Sequence, residues 1–157
     1  MKFTCPLIAV KNLEASKKFY QEVLDQKIGL DLGMNVVFTG GFAIQLNFAE
    51  LLGLDKESVK DKSHNFELYF EEEDFDGFLE KLKGFPDIEY VHPPKKYEWQ
   101  QRVVRIYDPD KHIIEIGESM TTIAKRYLDQ GVSVEETAKK IMHPIEFVKM
   151  VQEKTAK

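Results

Sequence analysis

The sequence predicts an α+β fold made of two tandem βαβββ units followed by a helical extension. Three observations carry that prediction. Residues 102–107 alternate apolar and polar, Asp108-Pro109-Asp110-Lys111 supplies turn chemistry with proline second, and residues 112–117 form another β-rich run, so 102–117 is a hairpin. Residues 36–46, Val-Val-Phe-Thr-Gly-Gly-Phe-Ala-Ile-Gln-Leu, repeat the arrangement around a Gly-Gly turn. Upstream of each hairpin lies a strand followed by a helix, and a shift of 62 positions relates the two pairs, placing Asn12 on Asp74, Leu13 on Phe75 and Cys5 on Glu67.

The first strand is expected at about residues 3–10. Asn12 then opens a helix with Leu13, Phe19, Tyr20, Val23 and Leu24 on one face. The second unit starts with a strand at about 65–72, in which Phe66, Leu68 and Phe70 share one face and leave Glu67, Tyr69 and Glu71 on the other. Asp74 caps the helix of residues 74–83, which carries Phe75, Phe78, Leu79 and Leu82. The loop expected at 92–101 holds the only tryptophan, Trp99, beside Gln101 and Arg102, which is where a group closing over a ligand or a packing anchor is placed. The units span about 1–48 and 64–118, with a connection at 49–63, and together form one domain over 1–118.

Residues 119–157 read as helices. Ile123, Ala124, Tyr127 and Leu128 form an apolar stripe, Gly131 ends that helix, Ser133 and Glu136 make a capping box, and Pro144 starts a third helix through Phe147 and Val151. The stretch 132–141 also resembles the entry helix of a helix-turn-helix. Without a basic recognition helix after it, DNA binding is not expected.

The residue that calls for chemistry is Glu115, set among Ile113, Ile114 and Ile116. On a strand it faces away from Ile114 and Ile116, toward water or into a cavity. Gln45 takes the equivalent place in the first hairpin. Glu67 and Glu115 read either as paired carboxylates suited to acid/base work or as salt-bridge partners of Arg102 or Arg105, which fall on opposite faces of their strand. His112 reads as an exposed hairpin residue.

Two segments, residues 10–20 (Val-Lys-Asn-Leu-Glu-Ala-Ser-Lys-Lys-Phe-Tyr) and 108–115 (Asp-Pro-Asp-Lys-His-Ile-Ile-Glu), resemble the vicinal-oxygen-chelate superfamily of glyoxalase I, extradiol dioxygenases, fosfomycin-resistance enzymes and bleomycin-binding proteins. The resemblance covers about residues 3–117. It implies that the two units pair their sheets into a half-open mixed β-barrel and that a divalent metal (Zn²⁺, Ni²⁺, Mn²⁺, Mg²⁺ or Fe²⁺) sits inside. Carried over by position, the family's ligand places fall on Cys5, Gln45, Glu67 and Glu115, with His64 as an alternative to Glu67 if the strand is bulged. The family's ligand histidines are absent from that set. Glu115 and Glu67 are thus the expected metal or catalytic pair, and Cys5, Gln45, Tyr69, Trp99, Gln101 and Arg102 the expected ligand-binding residues. An extradiol dioxygenase is least expected, because its iron takes two histidines and a carboxylate.

Composition narrows the partners. A chain of 157 residues that is 43% hydrophobic buries roughly two-thirds of its extended surface. One cysteine rules out an internal disulfide, and a net charge of −5 opposes nonspecific nucleic-acid binding. No apolar run reaches bilayer-spanning length, and Met1 to Cys5 lacks a secretory apolar segment, so the expectation is a cytoplasmic protein away from membranes. The resemblance implies a small-molecule ligand and a homodimer. Its two functional expectations are a lyase or isomerase acting on a small carbonyl compound, and a metal-free protein of the bleomycin-resistance type that sequesters its ligand.

Overall fold

The computed structural model describes residues 1–155. Its packing divides the chain into two compact units, one of Met1–Glu67 with Phe85–Glu89 and Tyr107–Ile113, the other of Leu68–Gly84, Tyr90–Ile106 and the chain from Ile114 onward.

The first unit runs β1 (Leu7–Val10), α1 (Leu13–Glu22), β2 (Ile28–Asp31), β3 (Asn35–Phe38), β4 (Ala43–Leu46) and α2 (Phe48–Leu51), then a 3₁₀ turn at Lys56–Ser58. Its sheet has the order β1-β4-β3-β2, with β1 parallel to β4 and the other pairs antiparallel. Asn12 caps α1 through a 3.0 Å bond from Ala15 N–H, and the helix buries Leu13, Phe19 and Tyr20. Tyr20 lies 5.4 Å from Phe38 and 5.0 Å from Phe42, ring to ring, which places both phenylalanines in the core. The first strand is shorter than the sequence predicts. Pro6 has no N–H to give a ladder, although its carbonyl accepts from Ala43 N–H at 3.0 Å, so Cys5 precedes the strand.

The Asp-Pro-Asp turn is a clamp on α1. Asp108, 2% exposed, accepts from Tyr20 Oη at 2.8 Å, Asp110 N–H at 3.0 Å and His112 N–H at 2.8 Å, and pairs with His112 Nδ1 at 2.9 Å. Asp110 accepts from Lys11 N–H at 2.9 Å and Ser16 Oγ at 3.2 Å. His112 is therefore half-buried and bonded rather than a free hairpin residue. Lys111 closes the turn at φ 69°.

The second unit contains most of β5 (Glu67–Glu72), α3 (Phe75–Leu82), β6 (Tyr90–Lys96), most of β7 (Arg102–Tyr107) and most of β8 (Ile113–Glu118), in the sheet order β5-β8-β7-β6. Phe66, expected on the helix-facing side, stands just before β5 and is 49% exposed. Strand β6 runs through His92-Pro93-Pro94, where the sequence predicts a loop. It is an edge strand with register shifts on both sides of His92, and both conditions let proline sit in a sheet. Strand β8 is central, and Ile114 to Glu118 are all buried.

Three helices complete this unit, α4 (Met120–Asp129), α5 (Val134–Ile141) and α6 (Ile145–Thr155). Glu136 N–H donates to Ser133 Oγ at 3.2 Å, the predicted cap, and Gly131 takes a φ of 80° where α4 has ended. Ile123, Ala124, Ala138, Ile141, Val148 and Val151 form a cluster against which Trp99, Tyr127 and Phe147 pack.

Candidate functional site

The second sheet carries a continuous set of polar and aromatic side chains from β5, β6, β7 and β8. Glu115 on β8, 8% exposed, forms an ion pair with Arg105 on β7. The Arg105 guanidinium also donates from Nη1 to Tyr97 Oη at 2.6 Å, stands 3.1 Å from His92 Nε2, and lies 5.7 Å from the Tyr97 ring centroid. His92 reaches it because β6 pairs with β7 in the register His92↔Arg105. Of the two arginines on β7, the inner one is thus Arg105.

Tyr97 stacks on Trp99 with centroids 4.5 Å apart and planes 18° from parallel. Trp99 Nε1–H donates to Gln101 Oε1 at 2.8 Å, while its ring packs on the helical cluster. Gln101 is 4% exposed, and its Nε2 donates to Tyr69 Oη at 2.8 Å and to the Glu118 carbonyl at 3.0 Å, so both ends of the amide are satisfied. Tyr69 passes its own proton toward Glu71 Oε1 at 2.9 Å. Burial pushes the Tyr69 phenol up to about 12, with Glu71 adding to the rise and Gln101 opposing it. Tyr69 is therefore a hydrogen-bond donor at neutral pH. Room for this arrangement comes from Gly117, where a Cβ would stand 2.5 Å from Gln101 Nε2 and 3.1 Å from Tyr69 Cε2.

Arg102, the predicted ligand-binding cation, is held elsewhere in the same unit. It bonds Asp76 at 2.7 and 3.1 Å and Glu118 at 3.1 and 3.2 Å, with its guanidinium 5.1 Å from the Phe75 ring centroid. Burial alone raises the Glu118 carboxyl, but Arg102 and Arg126 outweigh it and keep Glu118 ionised below the usual range.

The remaining predicted residues belong to the first unit. Gln45 is buried on β4, accepting from Asn35 Nδ2 at 3.0 Å across the Asn35↔Gln45 pair and donating to the Leu46 carbonyl at 2.8 Å. Cys5 is a half-buried free thiol ahead of β1. Glu67 is exposed at the start of β5. His64 has φ 56° and hydrogen-bonds Tyr107 Oη through Nε2 at 2.7 Å, with the two rings 6.0 Å apart.

These surroundings test the fit to a divalent metal. Among the described residues, no three His, Cys, Asp or Glu side chains come together to hold an ion, and the Glu115 carboxylate is balanced by Arg105. The donor set does not fit the family's metal. Tyr97, His92 and Gly117 were not legible as site residues, since the sequence places the first two in a loop and gives Gly117 no neighbour to accommodate.

Residues 3–121 match the glyoxalase-like domain family. No curated protein matches the chain. A protein of unknown function from Agrobacterium tumefaciens is 38% identical, with a TM-score of 0.66 over 76% of this chain and 95% of that one. The fosfomycin resistance protein FosX from Mesorhizobium loti is 20% identical, with a TM-score of 0.54 over 80% of this chain and 96% of its own. A glyoxalase/bleomycin resistance protein/dioxygenase family enzyme from Burkholderia phytofirmans is 16% identical, with a TM-score of 0.62 over 73% and 96%. The last two likenesses are of fold alone. With its tandem βαβββ order and a family match over more than half its length, the chain belongs to the glyoxalase-like domain family.

Proposed function

We propose that this protein binds a small molecule without a metal ion, on the second sheet, around Arg105, Glu115, Tyr97 and Tyr69. One observation carries the reading: Glu115, at the position the superfamily gives to its last metal ligand, is paired with a guanidinium from the adjacent strand. A carboxylate neutralised in this way orients Arg105 instead of ligating an ion. The side chains offered to a ligand are then a guanidinium, a phenol that stays protonated and the stacked Tyr97 ring. Such donors suit a planar or carbonyl-bearing molecule with acceptor oxygens.

Sequestration of the bleomycin-resistance type is the activity this set supports best. A lyase or isomerase acting on a small carbonyl compound would use the same donors to polarise the carbonyl, with Glu115, held by Arg105, as a buried carboxylate beside them. We take the working form to be a cytoplasmic homodimer, which light scattering on the purified chain tests; among the described residues no helix is long and apolar enough to cross a membrane.

The deciding experiment is a thermal-shift and turnover series with bleomycin, fosfomycin and the glutathione hemithioacetal of methylglyoxal, each with and without chelator. The proposal expects a ligand-induced rise in Tm that chelator leaves unchanged and Arg105→Met abolishes. Turnover of the hemithioacetal or of fosfomycin that depends on added metal and is lost in Glu115→Gln would overturn it.

A further inference from the structure

A second place in the molecule is shaped to take a ligand, and it involves none of the residues discussed above for the sheet. In the first unit a cleft of about 540 Å³ opens beyond the ends of β1 and β4, walled by α2, the 3₁₀ turn and the Asp-Pro-Asp turn. Its apolar wall is Phe48 and Val59, and one flank is closed by the Lys11 to Asp61 ion pair at 2.6 Å. His112 is part of the same lining. The buried Asp108 engages Nδ1 of that ring at 2.9 Å, and Asp108 is itself fixed by Tyr20, so the imidazole is held in one orientation. Nε2 of His112 has no protein partner among the described residues and is the ring atom left for a ligand.

The mouth carries charges of both signs. Lys56 and Lys60 stand with Glu50 and Glu57, and none of the four forms an ion pair among the described residues. A singly charged ligand meets repulsion as well as attraction there, whereas a molecule with both charges satisfies both kinds of side chain. We propose that this cleft binds a small zwitterion, carrying one ammonium and one carboxylate beside an apolar body, with Nε2 of His112 as a hydrogen-bond contact. The ammonium is taken by Glu50 and Glu57, the carboxylate by Lys56 and Lys60, and the apolar body lies on Phe48 and Val59.

Isothermal titration calorimetry of the full chain with leucine, leucinamide and N-acetylleucine tests this, because the three share an apolar body and differ in charge. The expected result is saturable one-to-one binding of leucine, with each singly charged analogue weaker by about tenfold or more, one lost charge-assisted contact being of that size. His112→Gln weakens leucine by a similar factor. Since His112 also supports the turn, the exposed double substitution Lys60→Ala with Glu57→Ala is measured beside it, and it weakens leucine without lowering Tm. Glu115→Gln leaves leucine binding unchanged, which separates this cleft from the sheet site. No saturable heat with leucine, equal binding of the three compounds, or full binding in the Lys60→Ala, Glu57→Ala protein overturns the proposal.

Discussion

Arg105 and Glu115 form an ion pair between two adjacent, mostly buried strands, with only 21% and 11% of their side chains exposed. Tyr97 and His92 hold the guanidinium from the other side. A charge pair in such surroundings has lost much of its hydration, so its two halves depend on each other. Arg102, on the opposite face of β7, is occupied by Asp76 and Glu118 and cannot substitute.

Removing one half of the inner pair is expected to be costly. Glu115→Gln leaves Arg105 without its anion, and Arg105→Met leaves Glu115 without its cation; each should lower unfolding free energy by about 2–4 kcal/mol. The double variant Arg105→Met with Glu115→Leu should recover most of the loss, because neither charge is then buried alone. Urea unfolding of the three proteins gives the answer. Additive losses in the double variant would show that the two residues do not act as a pair.

Much of this architecture was legible from residues alone. Both helix caps, Asn12 and Asp74, the two hairpins, and the Ser133 cap follow from local chemistry that tertiary packing had no reason to override. The extent of β6 was not legible. Pro93-Pro94 signals a loop unless the strand is known to be an edge, and strand order is a property of the whole sheet. Alternation along β7 put one arginine on each face, but only the β7 to β8 pairing shows that Arg105 meets Glu115. His112 misled for a related reason: its partner Asp108 is four residues away, and only the compact turn brings the ring onto the buried carboxylate.

Gly117 should be intolerant of a side chain. The nearest atom to an added Cβ, Gln101 Nε2, is at the end of a side chain that is normally free to move, but here it donates to Tyr69 and Glu118 and the same amide accepts from Trp99. Gly117→Ala is therefore expected to displace Gln101, lower stability by about 1–3 kcal/mol and change the emission of the single tryptophan. Fluorescence of the folded variant tests it. An unchanged Trp99 spectrum with unchanged stability would mean that the amide has room to move.

His112 gives stability a defined pH dependence. Burial alone would lower its pKa, but Asp108, Asp110 and Asp61 together outweigh burial and leave the folded value above the ordinary 6.5. A group whose folded pKa is raised contributes stability that is fully present below the unfolded pKa of about 6.5 and is lost as pH rises through the folded pKa. Tm should therefore fall between the mildly acidic and mildly alkaline range. His112→Gln, which keeps a donor for Asp108 without titrating, should flatten that part of the profile. A wild-type Tm that rises across the same range would contradict the assignment.

Thr137 offers a prediction of the opposite sign. It is fully buried on α5 with no hydrogen-bond partner for its Oγ1 among the described residues, although a helical threonine ordinarily has a carbonyl one turn back within reach. A fully buried hydroxyl left unpaired has lost its water without compensation. Valine has nearly the same shape and a similar helix propensity, so Thr137→Val changes little except that penalty. The variant should be more stable by about 1 kcal/mol, read as a higher urea midpoint at unchanged slope. A loss of stability would show that the hydroxyl is satisfied in solution, by a water reaching the helical cluster, and that this part of the molecule is wetter than its packing indicates.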